Sequence, residues 1–319
     1  MKALVLGGTR FIGKALVERL RREGHDTRVM SRAAGADLSG DRRVPADLAR
    51  AAEGASWDVV YDFLGMDARD AEVAVEALRG RCSRLVHLST GAVYWVSAAS
   101  RCPWVEEDGT LPLRDRATCD RAEFDYGVAK REAERVYRES GLPVAIVRAP
   151  VVSGPNDHKR RDLYWVRRIV EGRPLVMPDG GSNVFNHVYV DDLVEMLVRL
   201  SREPWDPGEA FNAADRVFTT LREYVSWFAE VIGKPATLVD VPRPKIADAG
   251  LHDRSFHFAD TKNHVLDDRK AERRLGMRFR TPDEWIPPTV RWCLEQAPDP
   301  SEDARLLVEA RLARAEVPR

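Results

Sequence analysis

Cysteine is scarce: four in 319 residues, Cys82, Cys102, Cys119 and Cys293, widely scattered with no CxxC pair and no histidine at metal-ligand spacing. That pattern argues against a disulfide framework and a zinc site and leaves structural thiols, so no metal is expected. An excess of charge of either sign is also missing, since 50 Lys and Arg stand against 51 Asp and Glu. Nothing in that balance calls for nucleic acid, an anionic membrane or a polyanionic partner. Long apolar runs are absent too. The first residues, "MKALVLGGTR", carry a short apolar stretch that stops at glycines, too brief for a signal-peptide core or a membrane span, and a cytoplasmic protein is the expectation. Internal repeats and low-complexity linkers are lacking as well. What is present is ordinary for a packed interior: 44% hydrophobic residues, in a chain long enough for one large domain or two modest ones.

The first half alternates short apolar runs with segments of helical period. "KALVLGG" reads as a strand, "IGKALVERLRREGH" as a helix closed by Gly24, and "DTRVMSR" as a second strand. "WDVVYDFLG" and "SRLVHLST" are further strands separated by "DARDAEVAVEALRG", and "LPVAIVRAP" follows another helix. Strands joined by helices imply an α/β fold, a doubly wound parallel sheet of Rossmann type, covered on both faces. Beyond Pro150 the texture turns to Pro/Gly-rich loops and isolated helices. "NVFNHVYVDDLVEMLVRLS" reads as a strand entering a helix with Asp191 or Asp192 as N-cap, "EAFNAA" as a short strand and "TTLREYVSWFAEVIG" as an amphipathic helix. The expected organisation is a dinucleotide-binding domain over 1–150, to which 184–216 returns, and a smaller substrate-binding lobe from 151–183 and 217–299. The tail at 300–319 reads as a capped, charged helix that packs on the body or on a second subunit, which leaves room for a homodimer.

"VLGGTRFIGKAL" sets Gly7, Gly8 and Gly13 between the first strand and first helix, where a dinucleotide pyrophosphate meets helix N-terminal amides. The spacing departs from a strict GxGxxG, with Arg10 where related patterns often have a third glycine. An acidic residue about 20 positions past such a loop usually grips the adenosine ribose of NAD, but here Ser31 and Arg32 stand in its place. A guanidinium there can pair with a 2'-phosphate, with Arg10 as a second clamp, so NADP(H) is favoured and NAD(H) is the alternative. Asp47, followed by Leu48, is placed near the adenine edge. The expected cofactor-facing set is Gly7, Gly8, Thr9, Arg10, Phe11, Ile12, Gly13, Ser31, Arg32, Asp47, Leu48, Phe63, Leu64 and Gly65, together with Tyr126 and Lys130.

Tyr126 and Lys130, in "DYGVAKREAE", lie one helical turn apart, and Ala133 and Tyr137 continue their row. "LVHLSTGAVY" brings Ser89 and Thr90 to the carboxyl edge of the sheet, where open parallel sheets bind ligands. With these segments the chain resembles the extended short-chain dehydrogenase/reductases, the sugar-nucleotide epimerase/dehydratase branch, through "GGTRFIG", "HLSTGAVY", "YGVAK", "VRAPVVSGP", "HVYVDDL" and "DDRKAERRLGM". The resemblance implies Thr90 as the catalytic hydroxyl, Tyr126 as acid/base, and Lys130 as its partner and a ligand of the nicotinamide ribose. A cation about 4 Å from the phenol, at an effective dielectric near 20, is worth about 4 kcal/mol, or roughly 3 pKa units, so Lys130 is expected to bring Tyr126 towards neutrality.

Departures from the family pattern narrow the chemistry. In its 4,6-dehydratases an Asp-Glu pair follows the catalytic threonine, whereas this chain has Gly91 and Ala92, which argues against dehydration. Ketone reduction, alcohol oxidation or epimerisation remain. The segment between Asp62 and Ser83 is short and offers no asparagine to match the family's helix-four Asn, which bears on the proton relay and on the helix pair through which many relatives dimerise. "GGTRFIG" and the short middle look closer to an atypical offshoot that includes plant chloroplast stem-loop-binding proteins, some of which bind RNA instead of catalysing. The retained Thr90, Tyr126 and Lys130 favour an enzyme, with a nucleotide-linked sugar or similar carbonyl or carbinol as substrate. Its expected contacts are Thr90, Tyr94, Arg161, Tyr164, Asn186 and His187, with Lys159, Arg160, Arg167 and Arg168 adding positive charge for a diphosphate.

Overall fold

A computed structural model of the chain describes residues 1–53, 56–99, 102–252, 255–296 and 303–316. It divides into two compact units, one of residues 1–152, 188–215 and 266–279, the other of 153–187, 216–265 and 280–319. The chain begins with β1 (Lys2–Leu6), α1 (Phe11–Arg22), β2 (Asp26–Ser31), β3 (Leu38–Ser39), α2 (Pro45–Ala52), β4 (Val59–Asp62) and α3 (Ala68–Leu78). It continues through β5 (Leu85–Thr90), α4 (Ala92–Trp95), α5 (Arg121–Glu139), β6 (Val144–Ala149) and β7 (Val151–Ser153). After α6 (Arg161–Val170), β8 (Leu175–Pro178), β9 (Val184–Phe185) and β10 (His187–Tyr189) come α7 (Val190–Leu200) and β11 (Ala210–Asn212). The remaining elements are β12 (Thr219–Thr220), α8 (Leu221–Ile232), β13 (Leu238–Val241), α9 (Arg243–Asp248), α10 (Arg269–Leu275), α11 (Pro282–Glu295) and α12 (Asp303–Glu316).

In the first unit seven parallel strands run in the order β11-β6-β5-β4-β1-β2-β3. The order reverses between β1 and β4, which is where an open doubly wound sheet forms its ligand crevice. Near-continuous apolar runs make this sheet: Ala3, Leu4, Val5 and Leu6 of β1 are wholly buried, as are Val144, Ala145, Ile146 and Val147 of β6. Both faces of such strands are covered by helices, so alternation disappears. α5 starts at an Asp120 cap that accepts from the Glu123 amide at 3.0 Å. Its inner face, Phe124, Gly127, Lys130, Ala133, Glu134 and Tyr137, follows the i, i+3, i+4 spacing but carries two charges.

Those charges meet partners on the sheet. The Glu134 carboxylate takes Arg148 Nε at 3.0 Å and Nη2 at 2.6 Å, and the Ser89 hydroxyl at 2.6 Å, with both members of the ion pair fully buried. Arg148 beside it holds the Glu134 carboxyl down at about 2, against a desolvation that acts the other way. One turn on, the Tyr137 hydroxyl donates to Asp62 Oδ2 at 2.5 Å, and Arg42 reaches the same oxygen at 2.7 Å.

Two expectations change. Tyr189, not Asp191 or Asp192, is the N-cap of α7, and both carboxylates lie in its first turn, where they still face the positive end of the helix dipole. Residues 266–279 belong to the first unit and not to the lobe, because Asn212 Nδ2 donates to Asp267 O at 3.1 Å and Leu266 bridges Trp104.

The second unit has its own interior. Asp162, on α6, is buried and accepts from Tyr224 Oη at 2.5 Å and the Gly154 amide at 3.2 Å. His187 stacks on Tyr224, ring centroids 4.6 Å apart and 10° from coplanar. The tail helix α12 belongs to this unit: buried Glu309 receives Tyr164 Oη at 3.0 Å and Arg168 Nε at 2.8 Å. The cap expected at the start of the tail lies outside the described residues. No helix among the described residues is long and apolar enough to cross a membrane.

Glu134→Ala leaves Arg148 buried without its counter-charge and is expected to destabilise the protein by about 3–5 kcal/mol, whereas Glu134→Met with Arg148→Met recovers most of the loss. Urea midpoints of the wild type and the two variants check this.

Candidate active site

The glycine loop sits at the reversal of strand order. Gly7 has φ +95° and donates its amide to Met30 O at 3.1 Å, a conformation in which a side chain would be strained. A Cβ on Gly13 would lie 2.6 Å from Gly7 O, so only glycine lets α1 approach the loop this closely. No side chain caps α1 and no carboxylate stands in its first turn. A backbone cradle opening on a helix N-terminus without a resident anion fits a dinucleotide pyrophosphate. Phe11 is 5% exposed, so its ring belongs to the core and only its backbone belongs to the loop.

At the end of β2, Ser31 Oγ is 3.5 Å from Thr9 Oγ1 and accepts from the Ala33 amide at 3.1 Å. The Arg32 side chain is 80% exposed, with Asp41 3.5 Å away. Asp47 lies in the first turn of α2, accepting from the Asp41 amide at 2.9 Å and from Arg50 at 2.8 Å, contacts that lower its pKa in that order. Leu48 corrects an expectation: its side chain is wholly buried in the core beside Leu4, Leu6 and Met30 and does not face a ligand. Phe63 and Leu64 follow β4, with the Leu64 amide held by Asp62 at 2.9 Å and its side chain exposed over Gly7. Gly65 is buried.

Thr90 and Tyr126 are neighbours. The Thr90 hydroxyl lowers the pKa of the phenol, and it accepts from the Ala92 amide at 3.2 Å. Tyr126 is 40% exposed, at the rim of the sheet's carboxyl edge. Lys130, expected beside it, is instead 2% exposed and turned inward. Its ammonium donates to Gly65 O at 2.8 Å and Leu88 O at 2.9 Å, and lies 3.5 Å from His87 Nε2. The expected electrostatics are corrected accordingly. Desolvation raises the Tyr126 pKa, Thr90 opposes the rise, and Lys130 is not among the causes. Lys130 is the perturbed group: desolvation brings it down to about 8, resisted by Asp62 and Glu134 and assisted by Arg42.

Most of the expected substrate set is engaged within its own unit. Tyr94 is wholly buried, donating to Asn212 Oδ1 at 2.5 Å and accepting from Arg148 at 3.0 Å, so it belongs to the interior of the first unit. In the second unit Tyr164 is tied to Glu309, Asn186 is wholly buried with its amide on His264 O at 3.3 Å, and His187 is buried against Tyr224. Arg161 pairs with Asp157 at 2.7 Å, Arg167 with Glu171 at 2.7 Å and Arg168 with Glu309. The basic helix face is thus largely neutralised by local carboxylates and does not present the diphosphate clamp expected of it.

His87, Asp62 and Arg42, beneath Lys130, were not foreseen. The available signal was a histidine and a serine at i and i+2 in the otherwise apolar strand "LVHLST", two polar groups on one buried face.

The model of the "NAD dependent epimerase/dehydratase family" matches residues 3–214. Among characterised proteins, the 3-diazoavenalumate denitrifying reductase of a Streptomyces species is 28% identical, over 92% of this chain and 98% of its own. A chloroplast stem-loop binding protein of Arabidopsis thaliana is 25% identical, over 87% of this chain and 75% of its own. Solved structures share the fold. The UDP-glucose 4-epimerase of Thermotoga maritima superposes with a TM-score of 0.73 at 20% identity, covering 92% of this chain and 98% of that one. The dTDP-glucose 4,6-dehydratase DesIV of Streptomyces venezuelae, with NAD bound, gives 0.72 at 22%, covering 93% and 98%.

Burial pushes the His87 pKa down to about 3 and that of His187 likewise to about 3, so both are neutral in the folded protein. As pH falls below the unfolded value of 6.5, the unfolded chain binds protons that the folded one refuses, and each imidazole removes up to about 1.4 kcal/mol of stability per pH unit. Asp162, raised to about 6, acts the other way between about 6 and 3.8, and Glu134, held down at about 2 in the folded chain, adds a further loss below its ordinary value of 4.5. Stability is therefore expected to decline from pH 6.5 downward, and His187→Phe to flatten the slope in a urea-midpoint series.

Proposed function

The chain belongs to the NAD dependent epimerase/dehydratase family, enzymes of the short-chain dehydrogenase/reductase superfamily, and on that premise we propose that it is an NAD(P)H-dependent reductase without dehydratase activity. One observation carries the reading: the Thr90 hydroxyl neighbours the Tyr126 phenol at the carboxyl edge of β5, while the next two positions are Gly91 and Ala92. Thr90 and Tyr126 serve one substrate oxygen, Thr90 by holding it and Tyr126 by delivering its proton. Elimination needs a further acid and base there, and neither position has one. The likeness to a reductase along 98% of that protein's length supports the same side.

A nicotinamide dinucleotide, when bound, supplies or accepts the hydride. Gly7 and Gly13 would hold its pyrophosphate, and Lys130 its ribose hydroxyls. Arg32, exposed at the end of β2, and Arg10, exposed in the loop, favour a 2'-phosphate and hence NADP(H) over NAD(H). Of the carboxylates close by, Asp37 is engaged by the Val29 amide at 2.8 Å and by Arg21 at 2.6 Å. The proposed substrate is a carbonyl on a nucleotide-linked sugar or similar compound, in the cytoplasm.

A second reading, epimerisation by oxidation and re-reduction, uses the same pair and is favoured by the same absence of dehydratase acids. Ligand released from purified protein separates them: stoichiometric tightly held NAD+ sinks the reductase reading, whereas a site that exchanges added NADPH supports it. With a turned-over carbonyl in hand, Tyr126→Phe is expected to lower kcat by about 10²–10⁴ while leaving NADPH affinity within a few-fold. Tight binding of structured RNA unaffected by this change, with no turnover, would replace the enzyme reading altogether. Arg32→Asp is expected to shift the NADPH/NADH affinity ratio towards NADH by about 10–100-fold. An unchanged ratio in fluorescence titrations removes the phosphate-clamp argument.

A further inference from the structure

An ammonium has three N–H donors, and those of Lys130 face three acceptors: Gly65 O, Leu88 O and His87 Nε2. Two of these are main-chain carbonyls, one on β5 and one just beyond β4, adjacent parallel strands whose register is fixed by the sheet. The third is a side chain. His87 is 0% exposed, its ring centroid 4.8 Å from that of Tyr137, and its Nδ1 meets no hydrogen-bond partner among the described residues. A buried imidazole with an unsatisfied nitrogen is costly where an apolar side chain of the same volume would pack against Tyr137 without that cost. Gly65 gives way to it: a Cβ there would lie 2.8 Å from His87 Cε1 and 2.9 Å from Asp62 Oδ2. The site thus accommodates a histidine that contributes nothing to packing that leucine could not, and its Nε2 points at the one lysine expected to meet a cofactor.

We propose that His87 is a positioning residue for Lys130, its Nε2 lone pair holding the third N–H of the ammonium until a dinucleotide ribose hydroxyl takes that donor, while Gly65 and Leu88 keep the other two. This rests on the dinucleotide-binding reading above. At 3.5 Å the His87 contact is the longest of the three, so it is the one exchanged at least cost. The arrangement requires the Nδ1–H tautomer, with Nε2 as acceptor. Burial and the neighbouring Lys130 keep the ring neutral, and so an acceptor, through the working range of pH. Around the ammonium stand Asp62 on β4, Asp70 on α3, Glu134 and Tyr137 on α5, and Arg42 before α2, so the His87 contribution is read against a fixed surrounding charge.

The test is an NMR titration of the full chain labelled with [ε-13C]lysine, the Lys130 signal being assigned by its loss in Lys130→Met. The wild-type signal is expected to titrate near 8. His87→Leu removes an acceptor for the charged form and is expected to lower that midpoint by about 1 unit and, by reducing the charged fraction, to weaken NADPH binding at pH 7 by about twofold. His87→Gln, whose Oε1 can accept, restores most of both. His87→Met substitutes for the leucine variant if that one fails to fold. An unchanged midpoint in His87→Leu, or glutamine behaving like leucine, overturns the role of His87 even if NADPH binds the wild type. Failure of the wild type to bind NADPH or NADH overturns the dinucleotide reading itself, and the proposed exchange with it.

Discussion

The helix that carries Tyr126 and Lys130 is fastened to its sheet by charge. Along one face of α5, at 130, 134 and 137, an ammonium reaches two strand-end carbonyls, a carboxylate takes a bidentate guanidinium from β6, and a phenol donates to an aspartate on β4. Apolar packing is tolerant of sliding by a fraction of an ångström, whereas bidentate and charge-assisted contacts are directional. Such pairs add little net stability over hydrocarbon, but losing one member is expensive, so the register of α5 on the sheet is strongly specified. The position of the Tyr126 phenol against the Thr90 hydroxyl is inherited from that register.

This fastening was the least legible part of the chain. Apolar runs and glycine punctuation sufficed to anticipate the parallel sheet and the loop at its strand-order reversal, because those signals are local. The row 126, 130, 133, 137 was also legible as a helix face. Its direction was not, since charged positions on a helix ordinarily face water, and here Arg148 on the next strand and Asp62 on a strand 75 residues back receive its buried polar groups. The same limit applies to α6, where arginines among aromatics read as a ligand clamp. Arg161 and Arg167 pair with carboxylates four residues away, but Glu309, which takes Tyr164 and Arg168, lies 145 residues from Tyr164 in the chain, beyond any window of sequence spacing.

Buried polar side chains divide into two kinds here. Tyr94, Asn212, Arg148 and Glu106 satisfy one another, with Arg148 Nη1 on Glu106 O at 2.6 Å and the Asn212 amide on the Glu106 carboxylate at 2.8 Å. A closed network of this sort rigidifies and leaves no group for a ligand, which is why Tyr94 is structural despite its nearness in sequence to Thr90. Lys130 and His87 form the other kind, a pair with one long contact and one unsatisfied nitrogen, and an incomplete network is where a ligand has something to gain.

The two polar heads read from one helical row therefore divide their work by environment. Tyr126, at the rim beside the Thr90 hydroxyl, is a phenol whose pKa desolvation raises, and near neutrality it holds its proton. Lys130, one turn deeper, is desolvated to about 8, and of the two it is the one whose charge changes nearer physiological pH. An acid that retains its proton until a substrate oxygen demands it suits the reduction of a carbonyl, where the proton must be delivered and not withdrawn. A cation poised near its midpoint is sensitive to what binds above it: a ligand that offers it acceptors raises its affinity for its proton and, by linkage, is itself held more tightly while the lysine is charged. On the proposed reading the acid/base chemistry belongs to the phenol, and the pH dependence of ligand affinity belongs to the lysine beneath it.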